Sequence, residues 1–297
     1  MPPYSFLDGP YRLAMGLHAL ELGEWLETGP DALHQMAERR RLLAKRPAEV
    51  VAALPESTPA RHELFALVRE HLARHFPDRW QQAGAELVDL ASGERFPLDP
   101  AEPLTMLGRM VQEDFCLLQA SPAGYRLTAA VLCFPAHWRL ADKLGRPLDA
   151  IHEPVPGFDL RLARPVDRFF ASLQVERPVW RVNWSLVDTP ELFRPPEHRV
   201  RPKNIDAARA GEQMWLRVER QTLRRLPACG DVVFAIRTYV EPLAEVAAGA
   251  SVARALALRV RGMPPEMAAY KGIASIREPL VAWLERRGAE ARPSDAS

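Results

Sequence analysis

In the first third of the chain the apolar positions fall at helical spacing. Residues 31–52 (DALHQMAERRRLLAKRPAEVVA) and 60–86 (opening ARHELFALVREHLARHF) set charged residues between apolar ones, which predicts two amphipathic helices. The period then changes. DFCLLQA (114–120) and YRLTAAVLCFPA (125–136) are apolar runs of strand length separated by SerProAlaGly, a turn that closes a hairpin. Helical character returns in HWRLADKLGR (137–146) and RPVDRFFASLQ (164–174), with DAIHEPVPG (149–157) between them. Strand-like segments resume at PVWRVNWSLV (178–187), EQMWLRVERQTLRRL (212–226) and DVVFAIRTYVEPL (231–243), the last two joined by ProAlaCysGly as a second hairpin. AEVAAGASVARALALRV and PEMAAYKGIASIREPLVAWLERRG read as helices again, and ARPSDAS as a loose tail.

Two strands, a helical crossing and three further strands follow one another in the order of a PAS-type domain. The expected fold is therefore α+β: a five-stranded antiparallel sheet with helices across one face enclosing a ligand pocket. The expected division is a helical extension at 1–110 packed on the core, a PAS-like core at 111–243, helices at 244–290 and the tail at 291–297.

Composition narrows the function. A chain of 297 residues, 47% hydrophobic, buries a sizeable core as one large domain or two small ones. Its formal net charge of +1 gives no bulk pull toward nucleic acid or anionic membrane, so neither partner is expected. Lysine is scarce, with Lys45, Lys143, Lys203 and Lys271 among a large arginine population, and coding bias is the simplest explanation. Cys116, Cys133 and Cys229 are odd in number and widely spaced, which suits neither a disulfide framework nor a zinc site. The N-terminus lacks the charged start and apolar run of a signal peptide, and no stretch approaches membrane-spanning length, so a reducing, cytoplasmic location is expected.

The predicted strands carry more charge than core packing requires. Alternation sorts Trp215, Arg217, Glu219, Gln221 and Leu223 onto one face, against Leu216, Val218, Arg220 and Thr222. It likewise sorts Arg237 and Tyr239 against Ile236 and Thr238, and Arg181 and Asn183 against Val182 and Trp184. One reading is a solvated face of cross-strand Arg–Glu pairs. If helices cover that face, its charges must instead be paired or bound to a ligand. No GxGxxG, GxxxxGK[ST], HExxH or GxSxG offers a rival centre. Of the histidines, His152 stands out, because Pro154 and Pro156 stiffen the backbone just after it. A histidine hydrogen-bonded within a proline-rich turn is the structural alternative.

LRVERQTLRRLP (216–227), FAIRTYV (234–240), RVNW (181–184), QEDFCLL (112–118), CFPAHWRLADKLGRPLDAIHEPVP (133–156) and YKG (270–272) resemble, in the same order, the haem-dependent oxidative N-demethylase alpha-subunit-like family. The resemblance runs from about residue 4 to about residue 285. It implies a PAS-like fold binding haem b and the oxidation of a small secondary amine such as dimethylamine to methylamine and formaldehyde with O2. It also implies electrons from NADPH through a separate reductase subunit carrying FMN and a 2Fe–2S cluster, and a tetrahydrofolate-binding subunit that receives the formaldehyde.

Within the matched motifs, His152 becomes the expected proximal iron ligand, since haem iron takes a neutral imidazole at fixed orientation. Glu219 is the candidate to hold the ammonium, Arg220 or Arg237 to stabilise developing negative charge, and Tyr239 to donate a hydrogen bond. Glu219 and Arg220 point to opposite faces of a regular strand, so at most one of them lines the pocket. Trp184, Arg224, Arg225 and Lys271 are the further candidates for haem contact, the last three as propionate partners or surface ion pairs. Three classes of function stay open: a haem monooxygenase component, a haem PAS gas or redox sensor, and a haem-free scaffold of the same fold.

Overall fold

The protein was analysed as a computed structural model that describes residues 4–7, 9, 11–158, 163–198 and 204–290. Ten strands run in chain order among the described residues: β1 (His18–Ala19), β2 (Val51–Ala53), β3 (Trp80–Ala83), β4 (Glu86–Asp89), β5 (Arg95–Pro97), β6 (Asp114–Ser121), β7 (Gly124–Val131), β8 (Val179–Val187), β9 (Trp215–Arg225) and β10 (Val232–Pro242). The α+β class holds. β6 to β10 are the strands read from the sequence, and both hairpins close where the turn residues stand, Gly124 and Gly230 taking the positive φ that their turns require.

The expected sheet of five strands is corrected to seven, in the order β1-β8-β9-β10-β6-β7-β2 with every pairing antiparallel. The two additions are short and come from the N-terminal third, β1 on β8 and β2 on β7. Continuous helices over 31–52 and 60–86 are also corrected. The first ends at Lys45, ahead of Pro47, and the second runs from Thr58 to His75, ahead of Pro77. Proline denies a helix its amide donor and pushes the preceding residue out of the helical region. The rest of the second segment forms β3 and β4, joined at Gly84 and extended by β5 into a separate three-stranded sheet.

Helices cover both faces of the large sheet, not one. The Ala32–Lys45 helix buries Gln35, Met36, Arg39, Leu42 and Leu43, and the Thr58–His75 helix buries Ala60, Leu64, Phe65, Val68, His71 and Leu72, each a single stripe. Both pack with Phe115, Leu117, Ala129, Val131, Val233 and Ala235 in one core. Farther along the same face, Trp184, Leu186, Leu216, Val218 and Tyr239 pack against the Ala250–Arg261 and Arg277–Ala289 helices. The opposite face is covered by residues 138–173, where Leu140, Leu148, Phe170 and Leu173 meet Cys116, Leu118, Leu223, Val232 and Ile236. Of the expected 137–146 helix only Leu140–Lys143 is helical. No helix among the described residues is long and apolar enough to cross a membrane.

One buried ion pair pins the first core together. Arg39 Nη1 lies 2.6 Å from Asp114 Oδ1, the two side chains being 0% and 1% exposed. Arg39 also donates to the carbonyls of Gly108 and Glu113, while Asp114 accepts from the amides of Cys133 and Phe134 at 2.7 and 2.8 Å.

Candidate functional site

Strand register gathers charge on the face beneath residues 138–173. Asn183 of β8 and Thr238 of β10 stand opposite Glu219 of β9, and Arg181 stands opposite Gln221. Glu219 is 8% exposed and sits at the centre. Its Oε2 accepts from Asn183 Nδ2 at 3.2 Å and Gln221 Nε2 at 3.1 Å, and its Oε1 from Arg217 Nε at 3.3 Å. Arg217 is anchored further on, donating to the carbonyls of Phe134 and Leu192. Lys271 reaches in from the YKG turn, with Nζ 3.4 Å from Asn183 Oδ1 and bonded to the Trp184 carbonyl. β1 covers β8 only at Val179 and Trp180, so Trp184 lies on a stretch of edge that β1 leaves open, and its carbonyl takes the lysine there.

The covering segment brings His152. It is the last residue of the short Leu148–His152 helix, and its ring stacks on Phe158 at 4.6 Å between centroids and 15° between planes. Nδ1 lies 2.8 Å from the Leu148 carbonyl, an acceptor only, so Nδ1 carries the hydrogen and Nε2 keeps the lone pair. Burial holds its pKa below the ordinary value, with Lys143 and Arg181 adding to the effect against the Leu148 hydrogen bond. The ring is therefore neutral at pH 7. Lys143 lies with Nζ 4.2 Å above the Trp138 ring, and burial brings its pKa down to about 8 while Cys116 and Glu219 oppose the drop. Lys271 is likewise lowered by burial to about 8, with Glu219 opposing and Arg181 assisting. Around these polar groups the walls are apolar: Cys116, Leu118, Leu223, Phe234 and Ile236 on the sheet, Trp138, Ile151, Phe169 and Phe170 above it.

Of the residues singled out by sequence, His152, Glu219 and Lys271 share this face. Arg225 fastens its cover: Nε donates to the Leu173 carbonyl at 2.6 Å, Nη1 to Gly230 and Nη2 to the Tyr125 hydroxyl, so its guanidinium ties the end of the Ala163–Ser172 helix to the β9–β10 hairpin.

Arg220, Arg237, Tyr239, Trp184 and Arg224 lie on the other face. Arg220 and Arg237 are direct cross-strand partners, a like-charge pair that is unfavourable unless neutralised. The segment before the first helix supplies the acids. Glu27 lies 3.6 Å from Arg220 Nε and accepts the Tyr239 hydroxyl, and Asp31 Oδ1 accepts from Arg237 Nη2 at 2.6 Å. Gly29 permits the approach, since a Cβ there would stand 2.7 Å from Arg237 Nη2. Gln35, Gln112 and the buried Glu113 complete the network, Glu113 Oε1 accepting the Glu27 amide at 2.9 Å. Trp184 stacks on Phe6 with centroids 5.1 Å apart, and the Arg224 guanidinium lies 4.5 Å from the centre of the Trp25 ring.

Sequence reasoning passed over Lys143, Arg181, Arg217 and Gln221 as site residues. Alternation had already placed Arg217 and Gln221 on the Glu219 face and Arg181 on the same side of its strand as Asn183. For Lys143 the available signal was the scarcity of lysine: two of the chain's four, Lys143 and Lys271, are buried where the charge of Glu219 holds their pKa values up. The segments that carry His152, Glu219, Arg181 and Lys271 all fall within residues 16–281, which match the family described as haem-dependent oxidative N-demethylase, alpha subunit-like, and the chain belongs to that family.

Proposed function

We propose that this chain is a haem-binding, amine-oxidising subunit in which the cofactor lies between the Glu219 face of the sheet and the residues 138–173 that cover it. The observation that carries the reading is His152: a neutral imidazole, its Nδ1–H spent on Leu148 and its Nε2 lone pair without a partner among the described residues, above an apolar floor with one carboxylate. A porphyrin iron takes an imidazole of that protonation state, and a porphyrin ring takes apolar walls such as Leu118, Leu223, Ile236 and Phe169. The Nε of Arg181, sealed from solvent without a hydrogen-bond partner among the described residues, fits an anionic edge on the same ligand. The five long strands, with helices across this face, are read as a PAS-like core, and haem b as the cofactor.

The haem, when bound, supplies oxygen activation and one-electron chemistry. The chain's own residues do the rest. Glu219 binds the ammonium of a small secondary amine such as dimethylamine and orients it, Asn183 and Gln221 hold that carboxylate by its Oε2, and the covering segment excludes water. Oxidation would give methylamine and formaldehyde. Electrons would arrive from NADPH through a separate FMN and 2Fe–2S reductase, and a tetrahydrofolate-binding subunit would take the formaldehyde. Arg220, Arg237 and Tyr239 act as positioning residues that hold Glu27 and Asp31 on the far face, not as groups that touch the amine.

Replacing Glu219 by Gln tests the substrate half. The loss of one charge-assisted contact is expected to weaken dimethylamine binding by about 1.5–3 kcal/mol, roughly tenfold or more, read as the amine concentration that half-perturbs the haem spectrum. An unchanged half-point in a variant that still binds haem removes Glu219 from the amine site.

A further inference from the structure

The charge on the Glu219 face does not balance. Glu219 is matched by Arg217, yet Arg181 stands on the same face, Lys143 lies in the segment that covers it, and Lys271 is held by Asn183 and a backbone carbonyl with no carboxylate on it among the described residues. Arg181 has the side-chain direction of Asn183, Glu219 and Gln221, being two residues along β8 from the first and paired with the last. Its Nε is sealed from solvent and makes no hydrogen bond among the described residues. Lys143 rests over the Trp138 ring, a weak partner for an ammonium withdrawn from water. Burial lowers both pKa values; Glu219 opposes the drop for Arg181, and Cys116, Glu219 and Asp142 oppose it for Lys143. Arginine and lysine withdrawn from water need an anion.

We propose that Arg181 and Lys143 form a carboxylate seat on the Glu219 face, where the ligand of this site docks an acidic group. Arg181 supplies the planar fork that engages two carboxylate oxygens, and Lys143 supplies a point charge from the opposite wall. Of the three residues that the sequence reading assigns to this task, Arg224 lies on the other face over Trp25, Arg225 is bonded to backbone carbonyls at the edge of the cover, and Lys271 is held by Asn183 and the Trp184 carbonyl. The carboxylate has two possible sources, a haem propionate or the carboxylate of an N-methyl amino acid. The second would make the substrate a zwitterion, its ammonium on Glu219 and its carboxylate on Arg181. The propionate source rests on the haem reading above, whereas the seat itself does not.

Titration of the full chain with haemin and with haemin dimethyl ester, followed at the Soret band, separates the sources when run beside calorimetric titration with N-methylglycine in the absence of haem. For a propionate seat, esterification weakens binding to the wild-type protein by about tenfold or more, and Arg181→Leu removes that difference. For a substrate seat, acid and ester bind alike, and N-methylglycine binds the wild type at least about tenfold more tightly than Arg181→Leu. Lys143→Gln shifts the same quantity in the same direction, which keeps the test alive if Arg181→Leu does not fold. Equal binding of acid and ester, together with N-methylglycine affinities that both substitutions leave unaltered or that are absent throughout, overturns the seat. Failure of both haem forms to bind overturns the haem reading, while the calorimetric arm still decides whether a carboxylate docks.

Discussion

Replacing His152 by alanine is expected to weaken haem binding by at least about a hundredfold, so that the purified variant lacks a Soret band while its far-ultraviolet circular dichroism is unchanged. Loss of groups that merely orient a ligating histidine costs 10–100-fold in metal affinity, and loss of the ligand itself costs more. The fold does not depend on the side chain: His152 is partly buried at the end of a single helical turn, bonded only to Leu148 in its own turn and stacked on Phe158. Cover and sheet are joined elsewhere, through Phe170, Leu173 and Arg225. Phenylalanine at 152 provides the control, because it keeps an aromatic face for Phe158 and removes the lone pair. Alanine and phenylalanine variants with wild-type spectra would discard the ligand assignment.

Replacement of Arg39 by methionine is expected to produce the largest loss of stability, about 3–5 kcal/mol, because it strands the Asp114 carboxylate, 1% exposed, without its counter-charge. The residual amide donors at Cys133 and Phe134 place the loss toward the lower end, and the carbonyls of Gly108 and Glu113 lose their donor as well. Methionine fills the volume, so the effect is one of charge and not of a cavity. Asp114 opens β6 and holds the chain just beyond β7, and β6 carries Cys116 and Leu118 into the candidate site. Haem affinity should fall with stability. Urea denaturation monitored by circular dichroism measures the change, and a loss under about 1 kcal/mol would mean that Asp114 is neutralised in another way.

Side-chain alternation was the most informative signal in the chain. It separated Glu219 from Arg220 and put Arg181 and Asn183 on one side of β8, and both assignments match the observed register. The long strands were legible because their hairpins close on glycines whose positive φ few other residues adopt. β1 and β2 were not, because strands of two and three residues carry no periodicity and exist only through their pairing to β8 and β7. β3 and β4 were hidden behind a helical pattern that Pro77 interrupts. The roles of Arg220, Arg237 and Tyr239 could not be read locally. Their partners, Glu27 and Asp31, stand some two hundred positions earlier in the chain, and no local pattern announces that pairing. Long-range charge pairing has no period, so the motif could not say with which residues these side chains pair.

In the proposed site His152 and Glu219 face one haem from opposite sides of it. A crystal structure of the protein loaded with haem and soaked with dimethylamine tests this most directly. Iron bonded to His152 Nε2, with the porphyrin against Leu118, Leu223 and Ile236 and the amine nitrogen within hydrogen-bonding distance of Glu219, is the predicted result. Iron bonded to any other side chain, or a porphyrin lodged on the Arg237 face, would contradict it.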